Sequence, residues 1–220
     1  MAKLAMFDLD HTLIGVDSDD EWPKFLADLG ILGEDARKTG EKHMRDYEAG
    51  VLDLEAFLAF QLSPLKGHTE AELESLRNRY VQTVIRPAVL PKVMGHVEKH
   101  RAAGDETALV SATNEFLVEP IGKMLGFQNI IASRLERDGE GRFTGRTTGV
   151  RSYREGKVER VTEWLAQSGK ALGDFEETHF YSDSFNDLPL LGAVTHPHAV
   201  NPDPKLRRIA QESGWDVIEA

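Results

Sequence analysis

The stretch LAMFDLDHTL, residues 4–13, decides the fold of this 220-residue chain. Its first four residues are continuously apolar, which predicts a parallel strand that is buried on both faces. Asp8 and Asp10 follow this strand directly, and Thr12 with Gly15 marks the exit from it. Because ligands bind just beyond the carboxyl ends of strands in open parallel sheets, we expect these two carboxylates to divide nucleophile and acid/base roles at a phosphate-handling site.

The remainder of the chain alternates between strand-like and helical patterns. Strand-like runs occur at residues 108–110, 130–132, 179–181, 199–200 and 217–218, and helical patterns at residues 91–103, 114–125 and 155–167. This alternation predicts an α/β fold with a Rossmann-like, doubly wound parallel sheet as its core. Residues 134–148 carry two turn glycines between extended flanks, which predicts a β-hairpin off the sheet.

A long insert after the first strand has a helical pattern throughout. Apolar residues recur at helical spacing in two groups, Trp22, Phe25, Leu26 and Leu29, then Leu54, Phe57, Leu58 and Leu62. Thr69 and Glu72 have the spacing of a capping box, which predicts a helix start. We therefore expect an all-helical cap domain at residues 16–84, inserted into a catalytic core formed by residues 1–15 and 85–220.

Composition narrows the function classes. The formal net charge is -11, from 26 basic and 37 acidic residues, which argues against a nucleic-acid surface. Cysteine is absent, which excludes disulfides and thiolate catalysis and leaves oxygen or histidine to hold any metal. The N-terminus has no long apolar segment, so we expect a cytoplasmic protein without integral membrane association. A monomer and a homodimer both remain open.

Chemistry-bearing residues lie in four separated pieces, each near a predicted strand end or helix start. They are Asp8-x-Asp10-x-Thr12, Ser111 after Leu109-Val110, Lys157 early in a helix, and Ser182-Asp183-Ser184-Phe185-Asn186-Asp187. In this order and spacing they resemble the haloacid-dehalogenase-like hydrolase superfamily. The resemblance is to its phosphoserine-phosphatase-like branch, which has a helical cap after the first strand, and it covers nearly the whole chain.

The resemblance implies hydrolysis of a small phosphate monoester. Asp8 would be the nucleophile that forms an aspartyl-phosphate, and Asp10 would protonate the leaving alkoxide and then deprotonate the attacking water. Ser111, Ala112 and Thr12 would receive phosphate oxygens, with Ser111 near a helix start and Thr113 as the expected helix cap. Lys157 would hold the phosphate and offset the charge of the nucleophile.

The last motif adds two carboxylates to a site that already has two. Their mutual repulsion is severe unless a divalent cation is present, so we expect Mg²⁺ as cofactor. By resemblance Asp8, the Asp10 carbonyl and Asp183 are the metal ligands, while Asp187 and Asn186 support them.

The cap departs from the phosphoserine-phosphatase pattern. Asp17 stands about where that branch has a glutamate, and residues 54–61 contain no arginine to grip a substrate carboxylate. We therefore expect a small monoester other than phosphoserine. Asp17 and Asp20, with Glu21, make the cap entrance acidic, which favours a cationic leaving group such as that of histidinol phosphate.

Other readings stay open. A phosphomutase or phosphotransferase could use the same aspartyl-phosphate, and a non-catalytic phospho-acceptor module would share the acidic pocket.

We expect His43, Arg45 and Tyr47 on a solvated helix face. The arginines Arg151, Arg154 and Arg160 are interpreted as surface charges. The histidines His96, His100, His196 and His198 have no metal-binding pattern in the sequence.

Overall fold

The computed structural model describes residues 2–48 and 53–220, and its core is a parallel sheet. The strands of this sheet are β1 (Lys3–Phe7), β2 (Glu106–Asn114), β3 (Asn129–Ser133), β6 (Glu177–Ser182), β7 (His196–Val200) and β8 (Asp216–Ile218). The strand order is β3-β2-β1-β6-β7-β8, and all five neighbouring pairs are parallel. The predicted doubly wound α/β core is confirmed.

Helices cover both faces of this sheet. α5 (Pro91–Ala103) and α6 (Glu115–Met124) contribute to one apolar cluster, whereas α7 (Glu155–Ala166), α8 (Leu188–Leu191) and α9 (Pro204–Ser213) contribute to a second. β1 alternates between the two clusters, with Ala5 and Phe7 in the first and Leu4 and Met6 in the second. Burial on both faces is why this strand is continuously apolar.

The predicted hairpin is present as β4 (Leu135–Arg137) paired antiparallel with β5 (Phe143–Thr147). Single-turn 3₁₀ segments complete the core at Leu172–Asp174 and Phe185–Asp187.

The described part of the insert is helical. It contains α1 (Ser18–Asp28), α2 (Glu34–Glu48), α3 (Leu54–Leu62) and α4 (Glu70–Tyr80), with a 3₁₀ turn at Ser63–Leu65 between α3 and α4. A π-helical turn at Val81–Ile85 and a 3₁₀ turn at Arg86–Ala88 follow α4. The capping box between Thr69 and Glu72 is confirmed at the start of α4. The predicted domain limits at residues 15/16 and 84/85 stay a prediction, and residues 49–52 of the insert lie outside the described residues.

Two contacts fix the insert over the carboxyl edge of the sheet. Trp22 of α1 packs edge-on against Tyr80 and against Phe116 of the core, with ring centroids 5.2 and 5.8 Å apart. On the other side, the Phe143 N–H of the hairpin donates to the His68 carbonyl at 2.9 Å. No described helix is long and apolar enough to cross a bilayer.

Candidate active site

A cavity of about 430 Å³ lies at the carboxyl edge of the sheet, beneath α1, α2 and α3. Nine of the residues predicted for the site line it: Asp8, Asp10, Asp17, Asp20, Ala112, Lys157, Asp183, Asn186 and Asp187. We call the part formed by Asp8, Lys157, Asp183 and Asp187 the sheet end. The part formed by Asp17, Asp19, Asp20, His43, Phe57 and Gln61 is the cap end.

One buried ammonium organises the sheet end. Lys157 Nζ donates to Asp8 Oδ1 at 2.7 Å and to Asp187 Oδ2 at 2.6 Å, and Ser182 Oγ donates to the same Asp187 oxygen at 2.6 Å. Lys157 lies in the first turn of α7, next to Gly156. A Cβ on Gly156 would lie 2.0 Å from the Arg151 carbonyl oxygen, so this close approach requires glycine.

Thr12 ties the first strand to the last motif. Its fully buried hydroxyl lies 3.4 Å from Asp8 Oδ2 and 3.2 Å from Asp183 Oδ1, and it accepts from the Asp183 N–H at 3.1 Å. The two carboxylates therefore lie next to the same hydroxyl.

Asp10 points toward the cap. Its Oδ1 accepts from the Ser18 N–H at 2.7 Å, and its Oδ2 accepts from Thr113 Oγ1 at 2.9 Å. The carboxylate thus joins the start of α1 to the end of β2. Ser111 is completely buried, with its hydroxyl 3.4 Å from Asp10 Oδ2.

The wall at the end of β2 is made by Ala112, Thr113 and Asn114. The strand runs on to Asn114, and Asn114, instead of the expected Thr113, caps α6 by accepting from the Leu117 N–H at 3.3 Å. The Thr113 hydroxyl is thereby left to bind Asp10. The phosphate-binding roles of Ser111 and Thr12 stay predictions, since both residues are fully buried and neither lines the cavity.

Neutral donors hold the aspartates of the cap end. Asp17 caps α1 by accepting from the backbone N–H groups of Asp19 and Asp20 at 2.9 and 3.0 Å. Asp19 Oδ1 accepts from Asn114 Nδ2 at 2.7 Å. Asp20 Oδ1 accepts from Gln61 Nε2 at 3.4 Å. The sequence interpretation missed Asp19, although the acidic run Asp17-Ser18-Asp19-Asp20 at a helix start carried the signal.

The charge balance of the cavity is strongly negative. Among the described residues that line it, seven are aspartates, while the strong bases are one lysine and one arginine. Burial, followed by the charge of Asp17, raises the pKa of Asp10 to about 6. Burial and then Asp187 raise the pKa of Asp183 to about 7.

The other lining carboxylates shift in the same direction. Burial raises the pKa of Asp8 well above its ordinary value, against the attraction of Lys157. Burial and Asp17 do the same for the pKa of Asp19. Burial disfavours the charged Lys157, but Asp187 and Asp8 outweigh it and leave the pKa of this ammonium above its ordinary value. The cavity is therefore suited to cations.

Several side chains differ from their expected placement. His43 is buried and lines the cavity, with its ring 5.7 Å from Phe57 and 5.4 Å from Phe60, so the solvated face predicted for it is wrong. Arg45 is exposed, as predicted, and the side chain of Tyr47 lies outside the described residues. Glu21 pairs with Lys24 at 2.7 Å.

Of the three arginines interpreted as surface charges, Arg160 is buried and Arg151 is half-buried at the cavity. Arg151 lines the cavity and donates to Glu55 Oε1 of α3 at 2.8 Å. Arg160 is buried and donates to the Ala132 carbonyl at 3.1 Å. Arg154 Nε donates to Asn186 Oδ1 at 3.2 Å.

Fold and site together are those of a hydrolase class that works on phosphate esters at the carboxyl edge of a doubly wound sheet. The sequence model described as haloacid dehalogenase-like hydrolase matches residues 5–192. The chain belongs to this family, in its phosphoserine-phosphatase-like branch, and is a phosphoric monoester hydrolase.

Three known proteins are similar to the chain over nearly all of its length. A histidinol-phosphatase from Neisseria meningitidis is 45% identical over 221 residues, which are 99% of each chain. The phosphoserine phosphatase SerB1 of Mycobacterium tuberculosis is 30% identical and covers 99% of this chain and 70% of its own. A crystal structure of a protein of unknown function from Bordetella pertussis is 48% identical, with a TM-score of 0.94, and covers 99% of this chain and 98% of its own.

Proposed function

We propose that the chain hydrolyses a small phosphate monoester with a cationic leaving group, in a Mg²⁺-dependent reaction through an aspartyl-phosphate on Asp8. The observation that carries the proposal is the joint placement of Asp8 and Asp10 in one cavity. Asp8 lies against a buried ammonium at 2.7 Å, and Asp10 has a pKa of about 6. One carboxylate is thus poised as nucleophile and the other as acid/base.

The donor set fits a hard divalent cation. Asp8 and Asp183 carry carboxylates with raised pKa values and face one hydroxyl, and oxygen ligands of this kind are what Mg²⁺ takes. Asp8, the Asp10 carbonyl and Asp183 would hold the ion. Asp187 would support them without binding the ion directly, since it is paired with Lys157. When bound, Mg²⁺ would neutralise negative charge on the phosphoryl oxygens and on these carboxylates.

The residues divide the chemistry into two displacements. An Asp8 carboxylate oxygen attacks phosphorus, the ester P–O bond breaks, and Asp10 gives its proton to the departing oxygen. A water then attacks phosphorus, Asp10 takes the proton of that water, and the P–O bond to Asp8 breaks to release inorganic phosphate. Lys157 positions Asp8 and offsets its charge, and Thr113 and the Ser18 N–H orient Asp10.

The cap end supports a cationic leaving group. Asp17, Asp19 and Asp20 bring three carboxylates to one wall, and burial raises the pKa of each. A protonated amine or imidazole would relieve their repulsion. The rings of His43 and Phe57, which meet edge to face with centroids 5.7 Å apart, give the cap end an aromatic lining. Histidinol phosphate combines an amine with an imidazole, and the 45% identical relative is named for hydrolysing it.

Phosphate release from a panel of esters tests the proposal. Purified enzyme with Mg²⁺ is assayed against histidinol phosphate, phosphoserine, glycerol phosphate and phosphocholine, with Asp8→Asn as background. We expect release that requires Mg²⁺, is abolished in the variant, and is fastest for histidinol phosphate. Equal rates for glycerol phosphate and histidinol phosphate would contradict the cationic substrate but leave the mechanism intact.

Product analysis separates hydrolysis from phosphoryl transfer. Hydrolysis gives free phosphate and alcohol in equal amounts, whereas a mutase would return the phosphoryl group to a second hydroxyl. Phosphate release well below alcohol formation would therefore exclude the hydrolytic second step. A long-lived phosphoenzyme without turnover would favour the phospho-acceptor alternative.

A further inference from the structure

Five of the eight histidines of the chain gather on the α5 side of the sheet. The register between β6 and β7 pairs His179 with His196 and Tyr181 with His198. The His179 ring stacks on His196 with centroids 4.6 Å apart, and His100 lies 4.7 Å from His179. His96 lies against Tyr181, with centroids 5.6 Å apart. We call His179, His196 and His198 the imidazole face.

A chain of polar contacts sets the tautomers of this face. His198 Nδ1 lies 3.2 Å from Asp216 Oδ2 in an ion-pair contact, and the negative charge of the carboxylate favours the proton on Nδ1, which leaves Nε2 as an acceptor. His179 Nδ1 lies 3.0 Å from that Nε2 and must donate to it. The lone pair of His179 therefore sits on Nε2, which faces Glu177 Oε2 at 3.4 Å.

This last contact brings two acceptors together. A neutral imidazole lone pair and a carboxylate repel each other unless a cation lies between them. Burial lowers the pKa of His179 and, with His179, lowers that of His198 to about 4, which agrees with neutral rings at pH 7. His100 is committed elsewhere, since Nδ1 lies 2.7 Å from Asp105 and Nε2 lies 3.0 Å from the Tyr181 hydroxyl.

His196 presents a second lone pair. The Thr195 hydroxyl gives its one proton to the Thr178 carbonyl at 3.0 Å, so it can only accept from His196 Nδ1, which lies 2.8 Å away. The His196 lone pair is thereby on Nε2. Such an outer partner on the second ring nitrogen is what orients metal-binding histidines.

Ligand atoms of Glu177, His179 and His196 all lie within 4.8 Å of one another. In a tetrahedral zinc site the ligand atoms are roughly 3.3 Å apart, given bonds of about 2.0–2.1 Å. The Glu177–His179 contact already has this spacing, and the exposed His196 ring can close the remainder.

We propose that Glu177, His179 and His196 form a second metal site, which takes a divalent transition-metal ion of the zinc type. Two imidazoles and one carboxylate are ligands that Zn²⁺ accepts, with a fourth position left to water. Lys3 Nζ lies 2.7 Å from this same Glu177 Oε2, so the ion would take the place of this ion pair at the carboxylate. The sequence shows no pattern because the ligands come from two strands.

This site lies apart from the cavity. His179 and Asp183 are four residues apart along β6 and its exit, which is about 13 Å of extended chain. The ion would link β6 to β7 at their amino halves. We therefore expect a structural ion, which stabilises the fold without taking part in phosphate transfer.

Zinc titration of tag-free protein tests the site. Isothermal titration calorimetry with Zn²⁺ is run in saturating Mg²⁺ on wild type and on Asp183→Asn. This variant lacks a proposed metal ligand of the active site, so it should bind metal ions there more weakly. We expect one zinc per chain on both, and Co²⁺ in place of zinc should give the intense visible absorption of tetrahedral cobalt with histidine ligands. His196→Ala should weaken this binding at least about tenfold, whereas His68→Ala, another exposed histidine, should not.

Phosphatase activity in Mg²⁺ should be the same in His196→Ala as in wild type. Three results would overturn the proposal: no zinc bound beyond the active site, equal affinity in His196→Ala and His68→Ala, or loss of the zinc in Asp183→Asn. A Co²⁺ spectrum that Glu177→Gln leaves unchanged would remove the carboxylate from the ligand set.

Discussion

At the sheet end of the cavity a buried ammonium lies within 2.7 Å of two carboxylates, whereas at the cap end three aspartates accept hydrogen bonds from neutral amides. Charge at the sheet end is thus partly balanced by the chain itself. The negative charge of the three cap-end aspartates is not balanced by their hydrogen-bond donors, which are neutral. The difference separates the reaction, which the protein builds from its own residues, from the leaving group, which must bring complementary charge.

Lys157→Ala should have the largest effect, because it breaks the balance at the sheet end. Asp8 and Asp187 would be left buried without their counter-charge, which costs about 3–5 kcal/mol of unfolding free energy. Activity should fall on the order of 10²–10³-fold as well, because the nucleophile loses its positioning group. Urea unfolding and phosphate release measure the two effects.

Lys170→Ala is the matched control. Its ammonium lies 2.8 Å from Glu106, but the lysine side chain is 41% exposed. Surface pairs of this kind contribute about 0–1 kcal/mol. Equal destabilisation by the two lysine variants would show that the buried ion pairs of Lys157 contribute no more to stability than an exposed pair does.

Asp10→Asn tests which carboxylate transfers the proton. We expect kcat for an alkyl phosphate to fall on the order of 10²–10⁴-fold, because an amide cannot protonate the leaving oxygen. With p-nitrophenyl phosphate the rate of phosphoenzyme formation should fall much less, since the nitrophenolate leaving group needs no proton. Burst kinetics with this ester should then show phosphoenzyme accumulation. A similar loss for both esters without a burst would contradict the acid/base role of Asp10.

The sheet end could be predicted from sequence because its residues belong to motifs of fixed spacing. Asp8, Lys157, Asp183 and Asp187 are placed together, as the strand and helix patterns require. The continuous apolar run of β1 and the capping box of α4 were equally readable, since each depends on residues close in the chain.

The cap end could not be predicted in the same way. Arg151 reaches Glu55 across 96 positions of sequence, and His43 is buried by rings from another helix. Nothing local distinguishes these side chains from those of a solvated helix or loop. The same holds for Thr113, which faces the cavity because β2 runs on to Asn114.

Asp17→Asn should change selectivity, which sharpens the contrast at the cap end. Asparagine caps a helix as well as aspartate does, so α1 should stay folded while one negative charge is lost. We expect the ratio of kcat/KM for histidinol phosphate to that for glycerol phosphate to fall about 3–10-fold, or on the order of 1 kcal/mol.

Asp53→Asn is the control for this change. Asp53 caps α3 through the same pair of N–H contacts, both at 3.1 Å, but it is exposed and lies outside the cavity lining. Its substitution should leave the ratio unchanged. An unchanged ratio in Asp17→Asn too would remove this residue from substrate selection.

Asp183→Asn should gain stability in the absence of Mg²⁺, and this gain should depend on pH. Burial and Asp187 raise the folded pKa of Asp183 from 3.8 to about 7, so its favourable contribution is complete below pH 3.8 and is lost as pH rises through 7. At pH 8 the charged group is a net burden, and its removal should stabilise the fold by about 1–2 kcal/mol, or roughly 2–8 °C in Tm.

The comparison of wild type with Asp183→Asn isolates this one carboxyl. Groups of opposite sign, such as His198 with its pKa of about 4, contribute to both proteins and cancel in the difference. The gain in Tm should shrink as pH falls from 8 to 5, because Asp183 is then protonated in the folded wild type. Mg²⁺ should reverse the order at pH 8, since wild type keeps the ligand that the variant lacks. A gain in Tm that persists at pH 5, or in saturating Mg²⁺, would mean that the substitution acts through packing. The negative charge of Asp183 would then not be the cause of the instability at the sheet end.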